Sequence, residues 1–185
     1  MCVEKTPWEQ VVDFHGHICS EIAIGYRITQ IALRELGLAP LPESELIIMA
    51  ETQSCAIDAF QVLTQATIGR KSIIINELGK HAYYFHYSGS NQTLRIAISP
   101  ELANYLNQDL SKLSPREKQN KVLESIHSLL SIEENTFCTI RKLSSILPKS
   151  SLSKGWTVCS NCNEPMRVEH AIIADKKALC KGCVS

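Results

Sequence analysis

Residues 14–27 read FHGHICSEIAIGYR, and within this stretch a polar, chemically rich segment changes into an apolar periodic one. Two histidines and a cysteine occupy alternate positions up to Cys19, which an extended backbone would turn to one side. From Ile22 onward apolar residues recur at three- and four-residue steps, a spacing that predicts a helix running to Gly37. The sequence therefore predicts a ligand-bearing loop that continues directly into a buried helix.

Cys19 falls at or just before the N-terminus of that helix. Unpaired backbone N–H groups and the helix dipole favour an anion there, and the thiolate is the form of cysteine that attacks electrophiles or binds metal ions. Gly16 lets the backbone turn or approach a ligand closely. His15, His17 and Cys19 are therefore candidate functional residues. The alternative is a pair of surface histidines beside a buried cysteine that acts as a small hydrophobic residue.

A second cysteine occupies a similar place further along the chain. The short apolar run Leu46–Ala50 is typical of a buried strand. Helical spacing begins again near Cys55, with Ser54 as a plausible N-cap. The same dipole effect predicts a lowered pKa for Cys55. The alternative is a core cysteine on the buried face of that helix.

Composition limits the classes of protein that fit. The chain has 185 residues, is 44% hydrophobic and 21% charged, and carries no net charge, which fits one ordinary domain plus a small appendage. Neutral charge disfavours a dedicated binder of nucleic acid or anionic membranes. No apolar run matches a signal peptide or a membrane span. We therefore expect a cytoplasmic protein, in which eight cysteines favour metal or redox chemistry over disulfides.

The remaining elements of the core come from local patterns. Thr6-Pro7 and Ser114-Pro115, each with a glutamate soon after, predict helix starts. Arg27, inside the buried helix, would need an anionic partner. Three strand-like runs joined by short turns predict an antiparallel meander in which His81 and His86 are mainly structural; these runs are residues 72–76, 81–87 and 93–98. Further helices are expected over residues 100–106 and 133–143, the second carrying Cys138 as inert packing.

The predicted architecture is therefore α+β, with helices packed on an antiparallel sheet over residues 1–150. The polar, small-residue stretch 148–155 marks the domain boundary, and residues 155–185 form a second, much smaller domain.

This small domain contains two Cys-x-x-Cys pairs, Cys159 with Cys162 and Cys180 with Cys183, separated by seventeen residues. The spacing is typical of a tetrahedral four-thiolate zinc site in a zinc ribbon. So short a segment cannot bury an adequate core, so the zinc would supply most of its folding free energy. A closed sulfur shell leaves no position for substrate, which makes this zinc structural. Redox Cys-x-x-Cys pairs are the main alternative.

Several of these residues, with a few more, resemble one known signature, that of the FmdE-like family of formylmethanofuran dehydrogenase proteins. They are His15-Gly16-His17-x-Cys19, Gly25-Tyr26-Arg27, Glu51, Cys55, Asp58-Ala59, Gln61, Gly69, Gly79-Lys80 and Glu164. The resemblance covers the chain from about Trp8 to Cys183. It implies an α+β core, a homodimer and a C-terminal zinc ribbon. The family is named for gene association with a molybdenum or tungsten enzyme, which implies a possible partner but not that this chain oxidises formylmethanofuran.

The resemblance also implies a functional cluster made of His15, His17, Cys19 and Cys55. This chain departs from the family pattern in two places. Ser20-Glu21 stands where the family usually has Pro-Gly, which adds a carboxylate as an extra ligand or a base. Gln65-Ala66-Thr67 stands where it usually has Gly-Cys-Thr, which removes a thiol.

Three functions are compatible with this cluster. His17, Cys19 and Cys55 are candidate ligands of zinc, iron or nickel with one open position, and His15 is then an alternate ligand or a supporting group. A thiol enzyme would instead use Cys19 or Cys55 as nucleophile and His17 as base. An accessory or regulatory protein would bind a partner enzyme, or an oxyanion at the two helix N-termini. The sequence does not identify a substrate.

Overall fold

The computed structural model describes residues 4–39, 46–102, 106–107, 109–144 and 155–184. The chain divides into two compact units, Met1–Lys149 and Ser150–Ser185, called here the core unit and the ribbon unit. The described elements of the core unit, in chain order, are α1 (Pro7–His15), α2 (Ser20–Leu36), β1 (Leu46–Ala50), α3 (Ala56–Thr64), β2 (Ile73–Ile75), β3 (Ala82–Tyr87), β4 (Gln92–Ile98), a 3-10 turn (Pro100–Leu102), α4 (Pro115–Ser131), α5 (Glu134–Phe137) and β5 (Cys138–Leu143).

Two helix starts use the capping chemistry that their sequences predict. Thr6 accepts a hydrogen bond from the backbone N–H of Glu9, whose carboxylate bonds back to the N–H of Thr6. Ser114 and Glu117 form the same reciprocal pair at the start of α4. Each pair satisfies two backbone donors that a helix end otherwise leaves free, so both predictions are confirmed.

The sheet of the core unit has five strands in the order β2-β1-β3-β4-β5 and is mixed. β1 runs parallel to β2, whereas the other neighbouring pairs are antiparallel. The prediction that β2, β3 and β4 form a meander was therefore wrong for β2. The physical reason is α3, which connects β1 to β2 and carries the chain back for parallel pairing. The following loop then crosses β1, where Leu78 and Lys80 donate to the carbonyl of Glu51.

The prediction of a helix over residues 133–143 was also wrong. Only one helical turn, α5, forms before the chain becomes β5 and pairs with β4 from end to end. A strand edge presents unpaired backbone groups that favour another strand, and the three-residue spacing of Phe137, Ile140 and Leu143 does not by itself distinguish helix from strand. Cys138 is buried, but on this strand. Of the helix expected over residues 100–106, the described part contains a 3-10 turn, and residues 103–105 lie outside the described ranges.

Gly25 sets the distance between the two helices that carry the candidate cysteines. A Cβ atom added to Gly25 would lie 2.5 Å from the Cα and the carbonyl oxygen of Ala56. Only glycine therefore permits the backbones of α2 and α3 to approach this closely. The approach brings the starts of both helices to one side of the core unit, beneath which Phe60, Tyr83 and Phe85 are fully buried.

Arg27, for which the sequence suggested an anionic partner, binds backbone carbonyls instead. Its guanidinium donates to the carbonyls of Leu129, at 2.6 Å, and Ile132, which lie at the C-terminal end of α4. The same group lies 4.3 Å from the centre of the Phe137 ring. Carbonyls at a helix C-terminus carry partial negative charge, so a helix end replaces the expected carboxylate.

The ribbon unit consists of two short hairpins. Its elements are β6 (Trp156–Val158), β7 (Pro165–Arg167), a 3-10 turn (Val168–His170), β8 (Ile172–Ala174), β9 (Lys177–Leu179) and a 3-10 turn (Lys181–Cys183). β6 pairs with β7 and β8 with β9, both antiparallel. Asp175 and Lys176 both have positive φ, at 47° and 62°, as a two-residue hairpin turn requires. No helix in the described parts of either unit is long and apolar enough to cross a membrane.

Candidate metal sites

The first candidate site lies where α1 ends and α2 begins. His15 is the last residue of α1, and Gly16 follows in the left-handed conformation with φ of 86°. His15, His17 and Cys19 therefore do not alternate along an extended backbone, as the sequence suggested. They come together because the chain reverses at Gly16, a conformation that glycine adopts without steric cost.

The turn brings three possible ligand atoms into one group. One donor atom each from His15, His17 and Cys19 can be chosen so that all three lie within 4.8 Å of one another. The Nε2 atom of His15 is 3.7 Å from the sulfur of Cys19, and the two imidazole rings have centroids 4.3 Å apart. His17 is exposed, whereas His15 and Cys19 are half-buried, so the group is open to solvent on the side of His17.

His15 is held in place by a carboxylate from α3. Its Nδ1 atom is 2.8 Å from Oδ2 of Asp58, and the side chain of Gln61 donates to the other oxygen of Asp58 at 3.4 Å. The imidazole side chain is only 9% exposed. A carboxylate on Nδ1 fixes the proton there and leaves the lone pair of Nε2 facing Cys19, an arrangement common for metal-bound histidine.

Cys19 caps helix α2, as its position in the sequence predicts. Its sulfur accepts a hydrogen bond from the backbone N–H of Ile22 at 3.4 Å, and its own backbone is extended. A sulfur at this position gains from free N–H groups and from the helix dipole when it is a thiolate.

Cys55 lies beside this group without belonging to the cluster of three donors. It precedes the first residue of α3 and lines a cavity of about 310 Å³ together with His17, Cys19 and Glu21. Its backbone N–H donates to Oε2 of Glu21 at 3.1 Å. The expected lowering of its pKa was wrong. Burial, with contributions from the side chains of Glu21 and Cys19, raises the pKa of Cys55 to about 12, which outweighs the helix dipole.

His81 is a neighbour of the site that its sequence context did not reveal. Its Nε2 atom lies 3.6 Å from Oε1 of Glu21, and its Nδ1 atom lies 2.7 Å from the hydroxyl of Tyr83. Burial lowers the pKa of His81 below its ordinary value. Strand parity separates His81 from His86, which is buried against Thr93. It gives no hint that the first contacts a residue sixty positions earlier, because that contact depends on tertiary packing.

The second candidate site is the cysteine group of the ribbon unit. The sulfur atoms of its four members lie within 4.8 Å of one another; they are Cys159, Cys162, Cys180 and Cys183. The sulfurs of Cys162 and Cys180 are 4.0 Å apart. Backbone N–H groups, first that of Cys162 and then that of Cys180, lower the pKa of Cys159 to about 6. These donors favour a thiolate, the form that binds metal ions.

Taken together, the chain is a small α+β protein with one mixed histidine–cysteine group and one four-cysteine group. The profile of the FmdE family, described as "FmdE, Molybdenum formylmethanofuran dehydrogenase operon", matches residues 14–139. The match covers more than half of the chain and includes the whole histidine–cysteine group. The protein belongs to the FmdE family, and the family resemblance of its motifs is confirmed.

Two similar proteins add to this assignment. A crystal structure of an FmdE-like protein of tungsten formylmethanofuran dehydrogenase, from Syntrophus aciditrophicus, has the same fold, with a TM-score of 0.66 at 19% identity over 96% of this chain and 89% of that one. A "Probable S-adenosyl-L-methionine-binding protein" from Archaeoglobus fulgidus is 39% identical over 94 residues, which are 48% of this chain. The chain spans only 25% of the length of that relative.

Proposed function

We propose that the core unit binds one transition-metal ion through His15, His17 and Cys19 and presents it to the adjacent cavity. The observation that carries this proposal is the convergence of three donor atoms within 4.8 Å. Mixed imidazole and thiolate ligation suits zinc, iron and nickel. Cys55 and Glu21 line the cavity at this point, and either is available to complete the coordination.

The distances between donors support this assignment. Metal–nitrogen bonds of about 2.0 Å and metal–sulfur bonds of about 2.3 Å place neighbouring donors of a tetrahedral site about 3.3–3.8 Å apart. The 3.7 Å from Nε2 of His15 to the sulfur of Cys19 falls inside this range. Asp58 supplies the outer carboxylate that orients a metal-bound histidine.

The protein residues have separate tasks around such an ion. Asp58 holds His15, the N-terminus of α2 stabilises the thiolate of Cys19, and His81 and the N–H of Cys55 orient Glu21 toward the cavity. An ion with an open position would supply Lewis-acid chemistry or bind a ligand directly.

Metal analysis of the full-length protein tests the core site. We expect two metal ions per chain in the wild type after dialysis and one in Cys19→Ser and in the double variant His15→Ala/His17→Ala. His127→Ala is the matched control, because His127 is exposed on α4 and outside the donor group. A wild type with a single metal ion that the Cys19→Ser substitution leaves in place would overturn the proposal.

We propose that the ribbon unit holds a structural zinc ion through Cys159, Cys162, Cys180 and Cys183. The 4.0 Å separation of two of its sulfurs is close to the spacing of about 3.8 Å in a tetrahedral sulfur site. The cysteines that the structure describes are all free of disulfides. This supports metal binding in a reducing compartment, the cytoplasm in our proposal.

An accessory role is the second candidate, and the family description favours it. Because the family is named after a molybdenum formylmethanofuran dehydrogenase operon, we propose that the protein acts as a homodimer alongside a molybdenum or tungsten enzyme. Affinity capture from a native host tests this, with the same capture by Cys19→Ser as a comparison. Recovery of such an enzyme by both forms would separate partner binding from core metal binding. A monodisperse dimer that captures no such enzyme would count against the accessory role.

A further inference from the structure

The cavity beside the proposed metal site has two chemically different walls. One wall carries polar side chains, which are His17, Cys19, Ser20, Glu21 and Cys55. The other is aliphatic and consists of Leu106, Leu110 and Val122. At about 310 Å³ the cavity is at the lower end of the range for small-molecule sites. An aliphatic wall adds nothing to the binding of an ion or of water, but it strengthens the binding of an organic ligand about fourfold for each methylene buried.

A second cavity of about 310 Å³ shares Val122 with the first. Its other lining residues are Ile18, Lys118, Gln119 and Leu123. Ile18 and Leu123 are large apolar side chains that are 39% and 48% exposed. Lys118 lies one helical turn before Val122 on α4 and is the one charged side chain in the described lining of this cavity. From the donors outward, the lining thus passes from polar through aliphatic to cationic.

The polar end restricts the head group of a ligand. A metal ion held by imidazole and thiolate is a good acceptor for sulfur donors. Glu21 already places a carboxylate at this end, so a carboxylate head would meet a like charge at short range, whereas a thiol arrives uncharged. At the other end, the ammonium group of Lys118 favours an anion.

We propose that the core site, once it holds its metal, binds an aliphatic thiol with an anionic group at its far end. The sulfur coordinates the metal beside Cys19, the carbon chain lies against Val122 and its aliphatic neighbours, and the anionic end lies near Lys118. This inference rests on the proposed metal site and names the class of ligand that the site takes.

Titration of the cobalt-loaded full-length protein with three thiols tests the proposal. The probes are mercaptopropionate, mercaptohexanoate and the neutral mercaptohexanol, and the signal is the change in the absorption of the core cobalt, isolated by subtracting the spectrum of Cys19→Ser. We expect mercaptohexanoate to bind at least tenfold more tightly than mercaptopropionate, since it buries more methylenes. We also expect it to bind about threefold more tightly than mercaptohexanol, the scale of a partly exposed ion pair.

Two lysine variants locate the anionic end. Lys118→Gln should remove the advantage of mercaptohexanoate over mercaptohexanol. Lys121→Gln is the matched control, because Lys121 lies on the same helix but pairs with Glu124 outside both cavities. Val122→Asn should reduce the preference for the longer chain. It acts on the apolar wall and leaves the metal donors intact.

The outcomes separate the two proposals. A chain that holds cobalt only in the ribbon unit overturns the proposed core metal site and this inference with it. A chain with core cobalt that no thiol perturbs, or that binds long and short thiols equally, overturns this inference alone. Equal effects of Lys118→Gln and Lys121→Gln overturn the placement of the anionic end.

Discussion

The two cysteine-containing sites of this protein are built in opposite ways. In the ribbon unit all four donors come from two local Cys-x-x-Cys turns, and the surrounding hairpins have only three-residue strands. In the core unit the donors come from the end of one helix and the start of the next, above an apolar core that is already packed. The comparison indicates that a metal ion makes the fold in the first case, whereas in the second case the fold makes the metal site.

The largest expected effect is the response of the ribbon unit to loss of its metal. Structural zinc contributes on the order of 10 kcal/mol or more to the folding of such segments, and this unit has few buried residues to replace that contribution. We expect Cys180→Ser, or a strong chelator, to collapse the amide chemical-shift dispersion of residues 155–184. Amide spectra of isotope-labelled protein measure this directly.

The core unit provides the matched control for this experiment. Cys19→Ser removes a proposed ligand from a unit with its own hydrophobic core, so its amide dispersion should persist. A ribbon unit that stays folded without metal, or a core unit that unfolds with Cys19→Ser, would break the comparison between the two sites.

The next effect tests whether the fold makes the core site. Gly25→Ala puts a Cβ atom 2.5 Å from the backbone of Ala56, so α2 and α3 must separate. We expect a loss of about 1–3 kcal/mol in the free energy of unfolding, the usual scale for overpacking. Core metal affinity should fall as well, because Cys19 and Cys55 stand at the starts of these two helices. Denaturant unfolding and cobalt titration measure the two quantities.

Gly69→Ala is the control for the glycine substitution. No atom lies within 4 Å of a Cβ added there, and the backbone of Gly69 is not among those with positive φ. We expect a change within about 0.5 kcal/mol in stability and no change in metal affinity. Similar losses for both variants would show that the close approach of α2 and α3 is not what supports the site.

Local patterns in the sequence were sufficient for some parts of the fold and not for others. The capping signals of α1 and α4, strand β1 and the turn at Asp175 were all predictable, because each depends on residues within one turn of the chain. The parallel pairing of β2 and the strand character of residues 138–143 were not. Both depend on an available sheet edge, which is a property of the assembled fold.

The same division applies to the candidate core site. His15, His17 and Cys19 were identifiable because they lie within five residues of one another, although the turn that unites them differs from the extended backbone that we expected. The raised pKa of Cys55 and the contact of His81 with Glu21 arise from burial and from packing between distant elements. No pattern of neighbouring residues encodes either of them.

A smaller effect concerns the support that α3 gives to the core site. Asp58→Asn keeps the size of the side chain but removes the charge that orients His15 and increases its basicity. We expect core metal affinity to fall about tenfold, the lower end of the effect of such carboxylates, with little change in stability. Asp109→Asn is the control, because Asp109 is exposed and bonds only locally to Ser111. Competition titration with a metal indicator measures both.

The ribbon unit sharpens this prediction, since its ligands have no equivalent carboxylate–histidine pair. Metal affinity of the four-cysteine group should be the same in wild type and Asp58→Asn. Equal weakening of both sites would show that the substitution acts on the protein as a whole and not on the orientation of His15.

The smallest effect is a dependence of core stability on pH that originates at His81. Burial lowers the pKa of His81 in the folded protein below 6.5, and the carboxylate of Glu21 opposes this shift only in part. The unfolded chain therefore binds a proton at higher pH than the folded one. The stability that the neutral imidazole contributes is present above pH about 6.5 and is lost as pH falls toward the folded pKa.

We accordingly expect the free energy of unfolding of the wild type to decline more steeply than that of His81→Gln as pH drops below about 6.5. His127→Gln should follow the wild type, because His127 is exposed and its substitution removes no buried imidazole. Urea unfolding at closely spaced pH values measures the difference. If the wild type and His81→Gln decline in parallel, the contact of His81 with Glu21 compensates fully for burial. The core site would then be insensitive to protonation at this position.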